Sequence, residues 1–285
     1  MVDVRVGAGP GNLATRTPGL RAGSPWDAGM DPRGLARAAL LAEGLVERGT
    51  VPAAGFAVGR HGRLAYAGTW GVARAEPRTH VTPSTLFAVA SVTKPLTATA
   101  IMILVDEGTL QLDAPVATYV SEFGSLGKGA ITLRHLLTHT SGLDDAAMPR
   151  EPARTPVEHL ARIFALTPCF SPGFRYAYCN AGYRVLGEVV GRVMGAPHER
   201  FFTERLLLPL GMLDSYLRPD PSLLSRVASV EGEPPGLLDG MCASGSTAGG
   251  LFSTVVDIVR LGQLFLDNGV AEGGRLLSAT AVDTM

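Results

Sequence analysis

The sequence has little lysine and little charge of either sign. Arginine supplies 23 of its 25 basic residues, and only Lys94 and Lys128 are lysine. The net charge is −1 over 285 residues, which leaves no basic face for nucleic acid and no polybasic membrane anchor. No apolar stretch is long enough to span a bilayer, and Met1–Leu20 lacks the apolar segment of a secretory signal. We therefore expect a cytoplasmic protein that binds neither nucleic acid nor membranes.

Cysteine and metal-binding patterns are also scarce. The three cysteines are odd in number and form no Cys-x-x-Cys pair, which argues against a disulfide framework or a zinc site and favours small apolar fillers: Cys169, Cys179 and Cys242. His135 and His139 lie four residues apart on a predicted helix and could in principle share a metal. The glutamate of a His-Glu-x-x-His signature is absent, so we expect structural histidines and no metal. Asp144 and Asp145 form a carboxylate pair that we expect to be solvated.

The N-terminal third predicts a flexible segment followed by an α/β layer. Residues 1–30 are rich in Gly, Pro and Ala without a period, and we interpret them as a flexible lead-in to one domain over residues 31–285. Asp31 and Pro32 predict the start of an amphipathic helix that runs to about Gly49, with three leucines on its apolar side: Leu35, Leu41 and Leu45. Residues 53–59 and 64–70 then predict a hairpin under that helix.

The middle of the chain predicts a mainly helical lobe over about residues 85–225. A helix is expected from Ser91 to about Glu107, where Gly108 ends it, and its apolar residues cover most of its circumference. A second helix is expected from about Gly182 to Met194. The first of these helices should therefore be buried in the lobe.

Ser91 and Lys94 form the pattern with the most chemical content. Residues three apart face each other on a helix, so the Lys94 amine can reach the Ser91 hydroxyl. A serine becomes a good nucleophile when a base takes its proton, and a lysine can be that base where its pKa is lowered. Arginine stays protonated and could not replace it. A lone Ser-x-x-Lys pair also arises by chance, so its surroundings decide the interpretation.

A second pattern, Tyr178-Cys179-Asn180, offers complementary chemistry. A tyrosinate held between cations can act as general base towards serine and then as general acid towards the leaving group. The Asn180 amide can both orient the lysine and bind a substrate amide. The two patterns together predict a nucleophilic site.

With these motifs the chain resembles the serine β-lactamase and penicillin-binding protein superfamily, and within it the branch of class C β-lactamases, DD-peptidases and related esterases. The resemblance runs from about Trp26 to the last residue and includes further segments: residues 87–90, 112–116, 136–143, 209–212 and 248–254. It implies an α/β (α+β) fold of the β-lactamase/transpeptidase type, with an antiparallel sheet flanked by helices and a helical lobe. The Tyr-x-Asn triplet differs from the Ser-Asp-Asn of class A enzymes.

The resemblance also implies roles for individual residues. Ser91 would be the acylated nucleophile, Lys94 its base or proton shuttle, Tyr178 the second general base, and Asn180 the substrate-binding residue that supports Lys94. Cys179 stands where this branch commonly has serine, and we expect it to point away from the chemistry. The implied activity is that of a cofactor-free serine hydrolase acting on a small-molecule ester or amide, such as a β-lactam, a D-alanyl peptide or a small ester. The oligomeric state stays open, as does hydrolysis against acyl transfer.

One family motif is not found. The Lys-Thr-Gly strand, or its His/Trp-x-Gly variant, has no match after Gly250. We therefore expect the C-terminal strands of the sheet to be missing, as in a truncated reading frame, a shortened expression product or a degenerate relative. In the family this strand also supplies a backbone N–H of the oxyanion hole, and such a donor typically contributes a few kcal/mol to transition-state stabilisation. The alternative to an active hydrolase is therefore a catalytically impaired or non-catalytic remnant.

Overall fold

The computed structural model describes residues 20–149, 155–229, 232, 236–271 and 273–285. Its strands are β1 (Arg21–Ala22), β2 (Ala53–Arg60), β3 (Arg63–Arg74), β4 (Thr79–His80), β5 (Phe87–Ala88), β6 (Ser215–Tyr216), β7 (Phe252–Ser253), β8 (Val270–Ala271) and β9 (Gly274–Arg275). Its α-helices are α1 (Pro32–Glu47), α2 (Thr93–Asp106), α3 (Leu133–Leu137), α4 (Pro156–Phe164), α5 (Asn180–Met194), α6 (His198–Phe202), α7 (Leu237–Ser244), α8 (Val255–Leu266) and α9 (Ala279–Thr284). Within these ranges no helix is both long and apolar enough to cross a bilayer.

The chain divides into two compact units. The first, the sheet unit, comprises the described residues of Met1–Ala88, Leu206–Asp239 and Phe252–Asp283. The second, the helical unit, comprises those of Val89–Arg205, Gly240–Leu251 and Thr284–Met285. Of the predicted lead-in, residues 1–19 lie outside the described residues, and the end of it contributes β1. The domain boundaries drawn from the sequence stay a prediction.

In the sheet unit, the predicted hairpin forms the centre of the main sheet. β2 and β3 pair antiparallel, and β3 also pairs with β4 antiparallel and with β1 in a short parallel contact. Among the described strands, β3 is the partner of β2, so the other edge of β2 has no strand beside it. β5, β7 and β6 form a separate small sheet, and β8 pairs with β9.

Helices pack on both faces of the β2–β3 hairpin. Val58 packs against the buried cluster that includes Leu35 of α1, while a Cβ atom on Gly59 would lie 2.5 Å from Val259 of α8. Successive strand residues point to opposite faces, so α1 and α8 cover different sides, and glycine lets α8 approach closely. The predicted flanked sheet is confirmed, and the close approach of α8 explains why this strand carries glycine.

The prediction for α1 is right in its position and wrong in one detail of its apolar face. Asp31 caps the helix by accepting a hydrogen bond from the Arg33 N–H at 2.9 Å, and Leu35 is buried. Leu41, however, is 64% exposed. At about 100° per residue, Leu41 lies about 120° around the helix from Leu35 and so points away from the sheet.

In the helical unit, α5 lies at the centre and packs against α2, α3, α4 and α6. α2 is buried along most of its length because it is apolar almost all round, as predicted. A Cβ atom on Gly187 of α5 would come within 2.5 Å of Thr247, so glycine permits the close approach of the 247–250 segment. This packing brings the start of α2, the start of α5 and that segment together.

Candidate active site

Ser91 lies in a tight 3₁₀ turn, Ala90–Val92, that leads directly into α2. Ala90 has a φ of 46°, in the left-handed region that costs energy for a residue with a Cβ. Thr93 holds this turn: its hydroxyl donates to the Ala90 carbonyl at 2.6 Å and accepts from the Leu251 N–H at 3.0 Å. The strained turn is thus fixed by tertiary contacts, and it presents the Ser91 side chain at the surface of the unit.

The Ser91 hydroxyl contacts both residues that the sequence patterns pair with it. Its oxygen lies 2.6 Å from the Tyr178 hydroxyl and 3.2 Å from Lys94 Nζ, which donates to it. Helical spacing accounts for the second contact, since Ser91 and Lys94 are three residues apart. The structure therefore brings the four predicted site residues together, with Asn180 joined to them through Lys94.

Lys94 is buried and uses all three of its N–H donors. Beside Ser91, it donates to Asn180 Oδ1 at 2.8 Å and to the Ala248 carbonyl at 2.7 Å. An ammonium group has three donors, so this set fixes the position of Nζ. The Ala248 carbonyl belongs to the family-like segment at 248–254, but its contact with the lysine is a backbone interaction that no residue pattern indicates.

Tyr178 stands at the open side of the site and is 46% exposed. Lys94 Nζ lies 4.6 Å from the centre of its ring. Burial alone would raise the pKa of the Tyr178 phenol, but the Lys94 ammonium and the hydrogen bond with Ser91 outweigh it and lower the pKa below its usual value. The phenolate form is therefore easier to reach here than in an ordinary tyrosine.

The expectation that Asp145 is solvated is wrong. Its carboxylate is half-buried and accepts from the backbone N–H groups of Asn180 and Ala181, at 2.7 and 2.9 Å, and from Asn180 Nδ2 at 2.9 Å. Burial raises the pKa of Asp145, but these hydrogen bonds outweigh it, so the pKa is lowered. Asp145 thus caps the start of α5 and orients the Asn180 amide so that its oxygen faces Lys94.

Cys179 does not face the nucleophile, and its thiol is buried at the start of α5. Its Sγ donates to Asp145 Oδ1 at 3.2 Å, and burial raises the pKa of the thiol to about 12. Cys242 is also buried, as expected for a small apolar filler, whereas Cys169 is exposed. Cys179 therefore adds a fourth hydrogen bond to the Asp145 carboxylate.

His139 packs beneath Tyr178, and its place differs from the prediction. α3 ends at Leu137, so His139 lies beyond the helix that holds His135, with a φ of 57°. Its Nδ1 accepts from the Cys179 N–H at 3.1 Å, and its ring centre lies 4.5 Å from that of Tyr178. Burial and the Lys94 charge lower the pKa of His139, so the acceptor is neutral near pH 7. In the described part of the chain no three His, Cys, Asp or Glu side chains are grouped to hold a metal.

Known proteins are similar to this chain in sequence. A family model described as Beta-lactamase matches residues 38–285. Penicillin-binding protein 4 of Amycolatopsis lactamdurans is 32% identical over 221 residues, which cover 72% of this chain and 57% of that protein. Esterase EstB of Burkholderia gladioli is 36% identical over 195 residues, or 62% of this chain and 49% of that protein. The chain therefore spans between 49% and 57% of the length of these two curated relatives.

Solved structures agree with the sequence matches. A class C beta-lactamase in complex with cefoxitin superposes with a TM-score of 0.72 at 27% identity, over 88% of this chain and 68% of that one. The predicted β-lactamase/transpeptidase-like fold and the predicted resemblance are confirmed. Relatives named as an esterase and as a D-alanyl-D-alanine-carboxypeptidase support a hydrolase-type function for the family. By sequence and by fold, the chain belongs to the beta-lactamase family.

Proposed function

We propose that this chain is a cofactor-free serine hydrolase that forms an acyl-enzyme on Ser91. The observation that supports it is the double contact of one hydroxyl: Ser91 Oγ lies 2.6 Å from the Tyr178 oxygen and 3.2 Å from Lys94 Nζ. A serine hydroxyl needs a base within hydrogen-bond distance to become nucleophilic. Two groups able to move its proton lie within that distance, and the lowered pKa of Tyr178 makes its phenolate one of them.

The proposed reaction passes the proton of the Ser91 hydroxyl to the leaving group of the substrate. Ser91 Oγ bonds to the substrate carbonyl carbon while the Tyr178 phenolate, next to the Lys94 ammonium, takes the proton. The bond from that carbon to the alcohol or amine then breaks, and Tyr178 protonates the departing atom. A water molecule cleaves the Ser91 ester by the same steps in reverse order. The backbone N–H of Ser91 lies in the first turn, where amides have no partner within a helix, and is the candidate donor to the oxyanion.

Asn180 serves this mechanism mainly by holding Lys94. Its Oδ1 accepts from Lys94 and its Nδ2 donates to Asp145, and the second Nδ2 hydrogen is available for a substrate carbonyl. The substrates we propose are small molecules with an ester or amide carbonyl. The relatives named as an esterase and a penicillin-binding protein support this class without choosing among small esters, β-lactams and D-alanyl peptides.

Covalent labelling tests the proposal. Purified protein is incubated with a fluorophosphonate probe and its intact mass is measured, with Ser91→Ala as the matched control. Initial rates follow for 4-nitrophenyl acetate and butyrate, a chromogenic cephalosporin and a D-alanyl-D-alanine peptide. We expect one probe per chain on Ser91, no label in Ser91→Ala, and turnover of at least one substrate class.

The rival function is a non-catalytic β-lactamase-like protein. It predicts folded protein, shown by a cooperative thermal transition, that takes up no probe and turns over no substrate. That result would refute the hydrolase proposal. Labelling of Ser91 without turnover would indicate a reactive serine with an impaired deacylation step.

A further inference from the structure

A cavity in the helical unit lies next to the candidate active site. Its volume is about 430 Å³, and its wall includes Asn180 and the segment 248–250. Ala248 accepts a hydrogen bond from Lys94, and a Cβ atom on Gly249 would lie 3.6 Å from the backbone of Ala90. The cavity therefore begins beside the turn that carries Ser91.

Part of the lining of this cavity carries positive charge. Arg184 lines it from α5 and follows Asn180 by four residues, so both side chains lie on the same face of the helix. His159 and Arg162 line it from α4. Arg162 is paired with Glu158 at 2.6 Å. Arg184 has no such partner among the described residues: no carboxylate lies within 4.0 Å of its guanidinium.

Asp145, the described carboxylate whose charge acts on Arg184, cannot turn to neutralise it without losing its own contacts. Asp145 also lines the cavity, but it accepts from two backbone amides, the Asn180 amide and the Cys179 thiol. A carboxylate has about four acceptor positions, and these bonds use them. Arg184 is thus a half-buried cation whose five N–H donors point to no protein acceptor in the described chain.

We propose that this cavity binds a carboxylate on the acyl part of the substrate, with Arg184 as its main partner and His159 beside it. The inference rests on the proposed function, which it deepens by naming a substrate class: esters or amides of dicarboxylic or otherwise anionic acids. A planar guanidinium binds a carboxylate through two parallel hydrogen bonds, which gives orientation as well as affinity. Four residues of helix separate Asn180 from Arg184, a rise of about 6 Å, which suits an acyl chain of a few methylene groups.

The position of Tyr178 indicates that the cavity holds the acyl part of the substrate rather than its leaving group. Tyr178 protonates the departing atom in the proposed mechanism, so the leaving group lies beside its hydroxyl. The cavity is lined by Asn180 and by residues 248–250 and not by Tyr178. The part of the substrate that stays on Ser91 is therefore the part that faces Arg184.

Matched esters test this assignment. The kcat/KM values of mono-4-nitrophenyl succinate, glutarate and adipate are compared with those of the corresponding neutral 4-nitrophenyl butyrate, pentanoate and hexanoate. We expect Arg184→Met to lower kcat/KM for the best anionic ester about 10- to 100-fold, the usual range for one charged hydrogen-bonding partner. The neutral ester should change less than about 2-fold, and Arg184→Lys should retain part of the preference because it keeps the charge.

Two controls isolate the cavity. Arg200→Met removes a charge from the helical unit at a residue that is paired with Glu204 and does not line the cavity, and it should leave both ester series unchanged. The butyrate ester of 3-hydroxybenzoate carries its carboxylate on the leaving group and is compared with phenyl butyrate. Two outcomes would overturn the inference while the proposed function stands. One is an equal loss of kcat/KM for anionic and neutral acyl esters in Arg184→Met. The other is a loss confined to the ester that carries its carboxylate on the leaving group.

Binding keeps the inference testable if the wild-type protein hydrolyses no ester. Adipate is then titrated into wild-type and Arg184→Met protein in a calorimeter. Saturable binding that Arg184→Met weakens at least about 10-fold would support the carboxylate site alone. Absent binding, or equal binding by the two proteins, would overturn it independently of catalysis.

Discussion

The two lysines of this chain are both buried, yet their surroundings differ in one respect. Lys94 is 6% exposed and Lys128 is fully buried. Lys128 Nζ donates to two backbone carbonyls, those of Phe164 at 2.9 Å and Leu166 at 2.6 Å. Lys94 also donates to a carbonyl, but one of its partners is the Ser91 hydroxyl at 3.2 Å. A carbonyl only accepts a hydrogen bond, whereas a hydroxyl has a proton to exchange.

The contrast shows that burial does not by itself place a lysine beside a hydroxyl whose proton it could move. Burial lowers the pKa of Lys128, yet no described group with an exchangeable proton faces its amine. Its contacts join the turn after Ser125 to the end of α4, which is a structural task. Lys94 differs because Ser91, Tyr178 and Asn180 meet at its amine. Variants that remove each lysine should therefore separate activity from stability.

The largest effect is expected for Lys94→Met. Methionine keeps the length of the side chain but has no amine, so Ser91 and Tyr178 lose their cationic partner. General acid–base groups typically contribute about 10²- to 10⁴-fold, and we expect kcat/KM for a neutral ester to fall by about 10³-fold. Initial rates and fluorophosphonate labelling measure the loss. A Lys94→Met protein that labels as fast as wild type would show that Lys94 takes no part in activating Ser91.

Tyr178→Phe is expected to have the next largest effect, about 10²-fold on kcat/KM. In the proposed mechanism the phenolate is the base, so wild-type activity should rise with pH through the pKa of Tyr178, which lies below the ordinary value of 10.0. The variant should lose that limb of the pH–rate profile, because it has no group to deprotonate there. An unchanged limb in Tyr178→Phe would assign it to another residue.

Part of this site follows from the sequence because helix geometry is local. The Ser91–Lys94 contact is fixed by a spacing of three, and the Tyr178–Asn180 motif lies at the start of a helix with a clear period. Asp145 could not be found in the same way. It begins a short 3₁₀ turn, Asp145–Ala147, 35 residues before Asn180, and only the folded chain brings its carboxylate to the start of α5. The Ala248 carbonyl is a backbone group, which carries no residue-type signal.

The fold also has parts that local sequence patterns predict and parts that they do not. The β2–β3 hairpin and the start of α1 follow from alternation, turn residues and a capping aspartate. The outward direction of Leu41 depends on which arc of α1 meets the sheet, and apolar composition alone does not fix it. The position of α8 over Gly59 likewise depends on a contact between residues 200 positions apart, which no local period predicts.

Lys128→Met is expected to lower stability and leave activity intact. It leaves the Phe164 and Leu166 carbonyls without their donor in a buried site, at a cost of about 2–4 kcal/mol. For a chain of this size that corresponds to a fall in Tm of about 5–10 °C, measured by thermal unfolding. The kcat/KM of the folded protein should change less than about 2-fold. A loss of activity equal to that of Lys94→Met would remove the distinction between the two lysines.

The smallest effect is expected for the pKa of His139, which depends on the charge of Lys94. Burial lowers the pKa of His139 first, and the Lys94 ammonium lowers it further. Because the folded pKa is below the unfolded value of 6.5, the unfolded chain binds more protons, and stability falls as the pH drops below 6.5.

In Lys94→Met the pKa of His139 should rise towards 6.5, whereas Lys128→Met should leave it unchanged. NMR titration of the His139 ring measures both. His139→Asn, which keeps an acceptor and tolerates the left-handed backbone, should flatten the dependence of Tm on pH in that range. Equal shifts in the two lysine variants would mean that His139 responds to altered packing rather than to the charge beside Ser91.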